Sequence, residues 1–246
     1  MSYCRGRKPV LDLLSKTPEK CVELLIAENL KPPFRDEILN AAKGAGVSYK
    51  IVNSKILDKI SDGELHQGVA CKLASSQKNF SIEPFLKNLD EKAPALLVIL
   101  DHIEDPHNLG AIIRSAEAGG ASAVIYPERR AATPNDTVIK TSAGASLRLP
   151  LIPVTNINRA IEILKSFNFW AIGLSEKAEA SAWDEKLPER TALVIGAEGF
   201  GLSRLVRENC DSLIRIPIKT ENSVGSLNAS VAAALGIFEW YRQYSK

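Results

Sequence analysis

The stretch LIRIPIKTENSVGSLNASV, residues 213–231, decides the fold of the C-terminal part of the chain. Residues 212–217 predict a short apolar strand, which ends where Pro217 lacks the N–H that a neighbouring strand would need. A polar loop follows, and apolar residues then recur at helical spacing, with Ser226 expected to cap the helix. The junction fits an ordinary βα turn, or a turn whose helix N-terminus binds an anion such as a phosphate.

Strands and helices alternate from residue 95 to the C-terminus, and this pattern sets the fold class. It predicts an α/β domain with a mostly parallel sheet and helices on both faces. Such sheets bind ligands beyond the carboxyl ends of their strands. The predicted strands are residues 96–100, 122–126, 147–154, 170–174, 193–196 and 212–217, and the predicted helices are residues 109–118, 158–167, 202–209 and the segment after Ser226.

A smaller α/β unit is predicted at the N-terminus, over residues 1–73. Residues 74–93 are polar and lysine-rich and form a linker with one short helix, and residues 94–246 form the larger domain. In the small unit the predicted helices are residues 8–15, 35–43 and 54–60, and the predicted strands are residues 21–27, 48–52 and 69–73.

Composition is typical of a soluble globular protein. Of 246 residues, 45% are apolar and 24% are charged, and the formal net charge is +2. This charge neither requires nor excludes nucleic acid, because a local patch such as Arg129 and Arg130 is sufficient. No apolar run approaches the roughly 18 residues of a membrane span, and the N-terminus lacks the apolar core of a signal peptide. We therefore expect a cytoplasmic protein.

The four cysteines are scattered along the chain, with no CxxC pair and no histidine at ligand spacing. This arrangement argues against a zinc site and against a disulfide framework, and it suits a reducing compartment. We therefore predict no metal. The cysteines are Cys4, Cys21, Cys71 and Cys210.

Three motifs together resemble one known family. They are DHIEDPHNLGAIIRSAEAGG at residues 101–120, LVIGAEGFGLS at residues 193–203 and IPIKTENSVGSLNAS at residues 216–230. In this order they resemble the motifs of the SpoU (TrmH) family, which are S-adenosylmethionine-dependent RNA 2′-O-ribose methyltransferases of the SPOUT class. The resemblance implies a trefoil knot, an obligate homodimer and an RNA substrate.

The N-terminal segments GRKPVLDLL and HQGVA extend the resemblance to the small unit, which is similar to an RNA-binding ribosomal protein. Over the whole chain, the pattern is most similar to family members that methylate a guanosine ribose in 23S rRNA. Members that modify tRNA, or an adenosine of rRNA, remain alternatives. So does a non-catalytic RNA-binding or ribosome-assembly protein of the same fold.

The second and third motifs supply the candidate cofactor site. Glycine allows tight turns and close backbone approach to a ligand, and GAEGFG lacks the GxGxxG spacing of a dinucleotide-dependent oxidoreductase. The family match implies that Gly196, Gly199, Ile216 and Leu227 contact S-adenosylmethionine, with the last two as apolar walls. A glycine-rich turn without a ligand is the alternative.

Arg114 is the candidate with the most direct role in the reaction. It interrupts the otherwise small and apolar run GAIIRSAEA, so we expect it to be partly buried unless it points into a cleft. A structural ion pair with Glu117 or Glu198 is one alternative. The resemblance implies instead that Arg114 acts on the 2′-hydroxyl of RNA bound to the neighbouring subunit. Guanidinium is a poor base, so it would act with the help of a phosphate, or would stabilise an alkoxide.

The remaining candidates are Asn108, Glu198, Ser226 and Asn228, which the resemblance places around the site. Asn108 would order the site, Glu198 would hold Arg114 or its own loop, and Ser226 and Asn228 would engage the target phosphate. None of the three histidines matches a catalytic position. The link IKTENSVG, residues 218–225, is longer than in close members of that family, which predicts a displaced loop or an effect on the choice of substrate.

Overall fold

The computed structural model describes residues 3–61, 65–74, 81–219 and 226–244. Contacts divide the chain into two compact units, residues 1–78 with 134–148 and residues 79–133 with 149–246. The first unit thus includes a segment from the middle of the chain. The domain boundaries drawn from the sequence stay a prediction.

The described elements are, in chain order, β1 Tyr3–Arg5, α1 Arg7–Lys16, β2 Cys21–Ala27, α2 Phe34–Gly44, β3 Tyr49–Val52, α3 Ser54–Ser61, β4 Val69–Leu73, α4 Ile82–Lys87, β5 Ala95–Asp101, α5 Pro106–Ala118, β6 Ala123–Pro127, α6 Asp136–Thr141, β7 Leu151–Val154, α7 Ile157–Ser166, β8 Trp170–Leu174, β9 Ala180–Ser181, β10 Arg190–Gly196, α8 Arg204–Asn209, β11 Ser212–Arg215 and α9 Ala229–Tyr244. No helix among these is long and apolar enough to cross a membrane.

The first unit is built on a four-stranded sheet in the order β1-β4-β2-β3. Only β2 and β3 pair in parallel, whereas β4 pairs antiparallel with both β1 and β2. The sequence prediction missed β1 and α6. Helix α6 begins where the side chain of Asn135 accepts a hydrogen bond from the backbone N–H of Val138. Its Ile139 packs in the apolar core of this unit.

The segment 134–148 also explains one wrong boundary. A strand was predicted over residues 147–154, but residues 145–147 form a 3-10 turn and the strand begins at Leu151. Leu147 packs against the core of the first unit instead of joining the sheet of the second. Tertiary packing has therefore divided an apolar run that looks continuous in the sequence.

The prediction that the cysteines form no disulfide was wrong for one pair. Cys21 in β2 and Cys71 in β4 form a disulfide, with their Cα atoms 6.1 Å apart. These residues are 50 positions apart in the chain, and only the antiparallel pairing of β2 with β4 brings them together. Cys4 and Cys210 are free thiols.

The second unit contains a seven-stranded sheet in the order β7-β6-β5-β10-β8-β11-β9, in which every pair of neighbours is parallel. Helices α4, α7 and α8 contribute to the core on one face. Helix α9 packs on the other face, where its Gly236 lies against Leu174 and Leu193, and α5 packs beside α9. The predicted parallel sheet with helices on both faces is confirmed. The predicted knot stays a prediction.

Helix α9 begins later than the sequence suggested. Ser226 was expected to be its cap, but the helix starts at Ala229 and Asn228 performs that role. The side-chain oxygen of Asn228 accepts from the backbone N–H of Ser230 at 2.9 Å. Asparagine caps helices as well as serine does, so the difference lies in where the chain turns. Residues 220–225, which include Glu221 and most of the long link, lie outside the described residues.

Candidate active site

The first two motif loops leave the carboxyl ends of adjacent strands. Strands β5 and β10 are paired along their whole length, so Gly196, the last residue of β10, lies opposite Asp101. The third motif follows β11 and leads into α9. This topology brings all three motifs to one region, as expected for a parallel sheet.

Three side chains, one from each motif, form a hydrogen-bonded network. The amide of Asn108 donates to Glu198 Oε2 at 3.2 Å. The amide of Asn228 donates to Asn108 Oδ1 at 3.1 Å and to Glu198 Oε1 at 3.3 Å. Both oxygens of the Glu198 carboxylate thus accept from amides. The sequence proposed all three residues as site residues, and the structure brings them together.

The network has one buried member and two exposed members. Asn108 is buried, in the first turn of α5, where Asp105 caps the helix by accepting from the backbone N–H of His107. Glu198 and Asn228 are exposed in the single chain. The buried Asn108 therefore anchors the network, and its exposed side is accessible to a substrate or to another protein chain.

A cavity of about 700 Å³ adjoins the network. Glu198 and Ser226 belong to its lining, together with the four proposed cofactor residues Gly196, Gly199, Ile216 and Leu227. Its size is within the range of small-molecule sites, roughly 300–1,000 Å³. Apolar side chains and backbone of a glycine-rich loop thus share one concave surface.

The glycine-rich loop is closed on itself. Ala197 and Gly201 exchange two backbone hydrogen bonds, of 3.1 and 2.8 Å. Gly201 has φ of +66° and Gly199 has φ of +80°, a region that residues with a Cβ rarely adopt. A Cβ at Gly196 would overlap the backbone of Gly201 and Leu202. The glycines are therefore needed for the shape of this wall, whatever binds there.

Arg114 does not join the network of its own chain. It is exposed, because α5 turns Ile112, Ile113 and Ala116 toward the core and Arg114 away from it. The partial burial expected for an Arg114 that does not point into a cleft is therefore not observed. Within the part of the chain that the structure describes, Arg114 makes no hydrogen bond or ion pair, so the alternative of a structural pair with Glu117 or Glu198 is not observed.

Sequence reasoning missed a buried carboxylate beside the site. Asp101 is only 1% exposed, and it accepts from the backbone N–H of Ser203 at 2.7 Å and pairs with His102 Nδ1 at 2.6 Å. It thereby ties the end of β5 to the loop after β10. A charged residue directly after a run of buried apolar residues was the available signal. Among the described residues no cluster is suited to hold a metal ion.

Family comparisons agree with this geometry. Residues 95–238 match the model of the SpoU rRNA Methylase family, and residues 5–78 match that of the RNA 2′-O ribose methyltransferase substrate-binding domain. The chain belongs to the SpoU family of RNA 2′-O-ribose methyltransferases. The resemblance inferred from the three motifs is confirmed.

Individual relatives match almost the whole chain. Three proteins named 23S rRNA (guanosine-2′-O-)-methyltransferase RlmB serve as examples. That of Salmonella typhimurium is 40% identical over 97% of both chains. The Escherichia coli K12 protein is 40% identical over 98% of both chains, and that of Xanthomonas campestris is 43% identical over 97% of this chain and 95% of its own.

Solved structures share the fold. The SpoU methyltransferase AviRb from Streptomyces viridochromogenes, in complex with AdoMet, has a TM-score of 0.80 at 23% identity and covers 98% of this chain and 89% of its own. An AdoMet-bound rRNA methyltransferase from Sinorhizobium meliloti has a TM-score of 0.79 at 22% identity, covering 100% of this chain and 88% of its own.

Proposed function

We propose that the protein transfers a methyl group from S-adenosylmethionine to the 2′-hydroxyl of a guanosine in 23S rRNA. The observation that carries the proposal is the network of Asn108, Glu198 and Asn228 beside the cavity. It joins the three family motifs at one place. Relatives that match nearly the whole chain at 40–43% identity are named for this reaction, which supports the choice of rRNA and guanosine.

The cavity fits S-adenosylmethionine in size and chemistry. Ile216 and Leu227 offer apolar walls, and the loop from Gly196 to Gly201 offers backbone groups without intervening side chains. When bound, the cofactor supplies a methyl group on a sulfonium, which a ribose oxygen attacks. The protein has to align the two reactants, and alignment is usually a large part of catalysis in such displacements.

Each of the remaining site residues has a separate role in the proposed reaction. Asn108 and Asn228 hold Glu198 in one orientation, and this network orders the loops that meet at the cofactor. The exposed Ser226 hydroxyl engages the phosphate of the target nucleotide. Arg114 contacts the 2′-hydroxyl, either removing its proton with the help of a phosphate or stabilising the alkoxide as it forms.

We also propose that the enzyme is a homodimer and that Arg114 acts in the site of the partner subunit. Helix α9 exposes an apolar stripe, in which Val231 is 47%, Leu235 36%, Phe238 44% and Tyr241 41% exposed. These residues are spaced three or four apart, so they share one face. Helix α5, which carries Arg114, packs beside α9. A partner covering the stripe would therefore lie next to the helix that carries the exposed Arg114.

The other sequence predictions fit this function. Residues 1–73 would bind the RNA, residues 74–93 would link the domains, and residues 94–246 would form a knotted catalytic domain. We place the protein in the cytoplasm, where rRNA is modified. Neither a metal nor a membrane is part of the proposal.

Transfer of a labelled methyl group from S-adenosylmethionine to purified rRNA and tRNA tests the reaction. We expect label on a guanosine ribose of 23S rRNA and its loss in Arg114→Ala. Label on tRNA alone would overturn the substrate, and label on adenosine would overturn the base. No label on either RNA or on ribosomal particles, with the cofactor still bound, would favour the non-catalytic alternative.

Mixed dimers test the position of Arg114. Arg114→Ala and Asn228→Ser chains, co-expressed with different tags, would form dimers in which one site regains an intact Arg114 and an intact Asn228. Random pairing gives half mixed dimers with one working site each, so about a quarter of wild-type activity is expected. Inactive mixed dimers would show that Arg114 acts in its own chain.

A further inference from the structure

Phe200 is the most exposed large apolar side chain among the residues that the structure describes. Its exposed fraction is 90%, compared with 71% for Leu65 and 56% for Trp170. Exposing an aromatic ring to water forgoes the burial that normally stabilises it. Phe200 thus contributes little to the stability of the single chain, and a role in binding is the natural explanation.

The backbone conformation of the loop directs the ring of Phe200 toward solvent. Phe200 lies between Gly199 and Gly201, both with positive φ, and the paired backbones of Ala197 and Gly201 close the loop below it. The hydrogen bonds limit the movement of the loop, so the ring stands at the tip of a short closed turn. An exposed aromatic ring on a turn of limited mobility is suited to contact another planar group.

The position of Phe200 identifies that partner. It follows Glu198 by two residues, and it lines the same cavity as Glu198 and Ser226. A ligand that occupies this cavity beside Glu198 therefore lies close to this ring. Phe200 is not part of the apolar stripe of α9 from which the dimer interface is proposed.

We infer that Phe200 is a stacking platform for an unpaired nucleobase of the RNA substrate, at or next to the methylated nucleotide. The inference rests on the proposed function. Enzymes that act on RNA contact unpaired bases by stacking them on aromatic side chains. Stacking accepts any base, because every base has a π-face. Phe200 would thus position the nucleotide, and it would not choose its identity.

Four substitutions separate stacking from other roles. Phe200→Ala removes the ring, Phe200→Leu keeps apolar area without a π-face, and Phe200→Tyr and Phe200→Trp keep an aromatic plane. Removing a stacking ring weakens binding about 5- to 150-fold per base. We expect KM for an rRNA fragment to rise by this factor in the Ala and Leu variants. The Tyr and Trp variants should stay within about threefold of wild type.

Three controls define the alternatives. Leu205→Ala removes another exposed apolar side chain, 55% exposed on the neighbouring helix α8, and should leave KM unchanged. The Kd for S-adenosylmethionine and the sedimentation of the dimer should be unchanged in all Phe200 variants. A selective loss of cofactor affinity would make Phe200 part of the cofactor wall, and monomer formation would make it a subunit contact. Either result would overturn the inference.

The outcome is distinguishable from failure of the proposed function. If wild-type protein does not methylate rRNA ribose, the proposed function fails, and the stacking role that rests on it fails with it. If wild-type protein is active and Phe200→Ala or Phe200→Leu has an unchanged KM for RNA, only the stacking role is refuted.

Discussion

Asn228 has two separable roles, and a pair of substitutions divides them. Its amide nitrogen donates to Asn108 and Glu198 in the proposed active site. Its side-chain oxygen caps α9 by accepting from the backbone N–H and the hydroxyl of Ser230, at 2.9 and 2.6 Å. Serine at this position can still cap the helix, but it is too short to reach the network. Alanine does neither.

The two roles have different expected magnitudes. Loss of a helix cap costs about 1 kcal/mol of stability, which lowers Tm by about 2–4 °C in a protein of this size. Two hydrogen bonds, one of them to a carboxylate, are worth about 2–4 kcal/mol. Because Glu198 and Asn228 are exposed, solvent screens the interaction and we use the lower end. If this energy is expressed in the transition state, kcat/KM falls about 30-fold.

We therefore expect Asn228→Ser to lose about 30-fold in kcat/KM with a fall in Tm that reflects the network alone, and Asn228→Ala to lose the same activity and about 2–4 °C more in Tm, because it also lacks the cap. Methyl-transfer kinetics and thermal unfolding followed by circular dichroism measure the two effects. Asn156→Ala is the matched control, because Asn156 caps α7 in the same way, by accepting from the backbone N–H of Arg159, and is not among the proposed site residues. It should lower Tm and spare activity.

Two results would refute this reasoning. Near-normal activity of Asn228→Ser would show that the network is not needed for the reaction. A loss of stability in Asn228→Ser equal to that in Asn228→Ala would show that Asn228 stabilises the protein by something other than capping α9.

Three further predictions follow from other parts of the structure. Gly196→Ala should abolish the rise in Tm that S-adenosylmethionine causes, because its Cβ overlaps the loop backbone, whereas Gly44→Ala, with open space around its Cβ, should leave that rise unchanged. Burial raises the pKa of the Cys4 and Cys210 thiols to about 12, so a thiol reagent at pH 8 should label neither cysteine in the folded protein. It should label two cysteines per chain after unfolding, and four after unfolding with a reductant that opens the disulfide. Labelling of two cysteines per chain without unfolding would contradict this prediction. The hydrogen bond from Arg242 lowers the pKa of the Glu239 carboxyl, so the stabilisation of the fold by this carboxylate is present above the ordinary carboxyl pKa range and is lost as pH falls. Glu239→Gln should therefore unfold at a lower urea concentration than wild type at pH 7. An equal loss of stability at pH 7 and at pH 3 would refute the linkage between this pKa and stability.

Local sequence signals were sufficient for most of the secondary structure and for the sheet class. Strand β2 and strand β8 were predicted to the residue, since each is a short run of apolar residues between breaking signals. Two errors arise where a segment packs in an unexpected place. Helix α6 and the turn before β7 belong to the first unit, and no local sequence pattern indicates that these residues pack there.

The candidate site shows the same division. The family resemblance of the motifs proposed Asn108, Glu198 and Asn228 as site residues, because residue types and order along the chain carry that resemblance. It did not indicate that their side chains contact one another, that Arg114 faces solvent, or that Asp101 is buried between two loops. Those facts depend on the direction of each side chain, which helix rotation and strand pairing fix only in the folded chain.

The sequence by itself therefore determined the family and the parallel sheet and proposed the site residues, since these depend on periodicity and on motifs that are local in the chain. Only the tertiary structure decided which residues meet: the disulfide between Cys21 and Cys71, the three-motif network, and the exposed ring of Phe200. The physical reason is that hydrogen bonding, covalent pairing and exposure depend on distances between groups far apart in the chain, and those distances exist only after the sheets have formed.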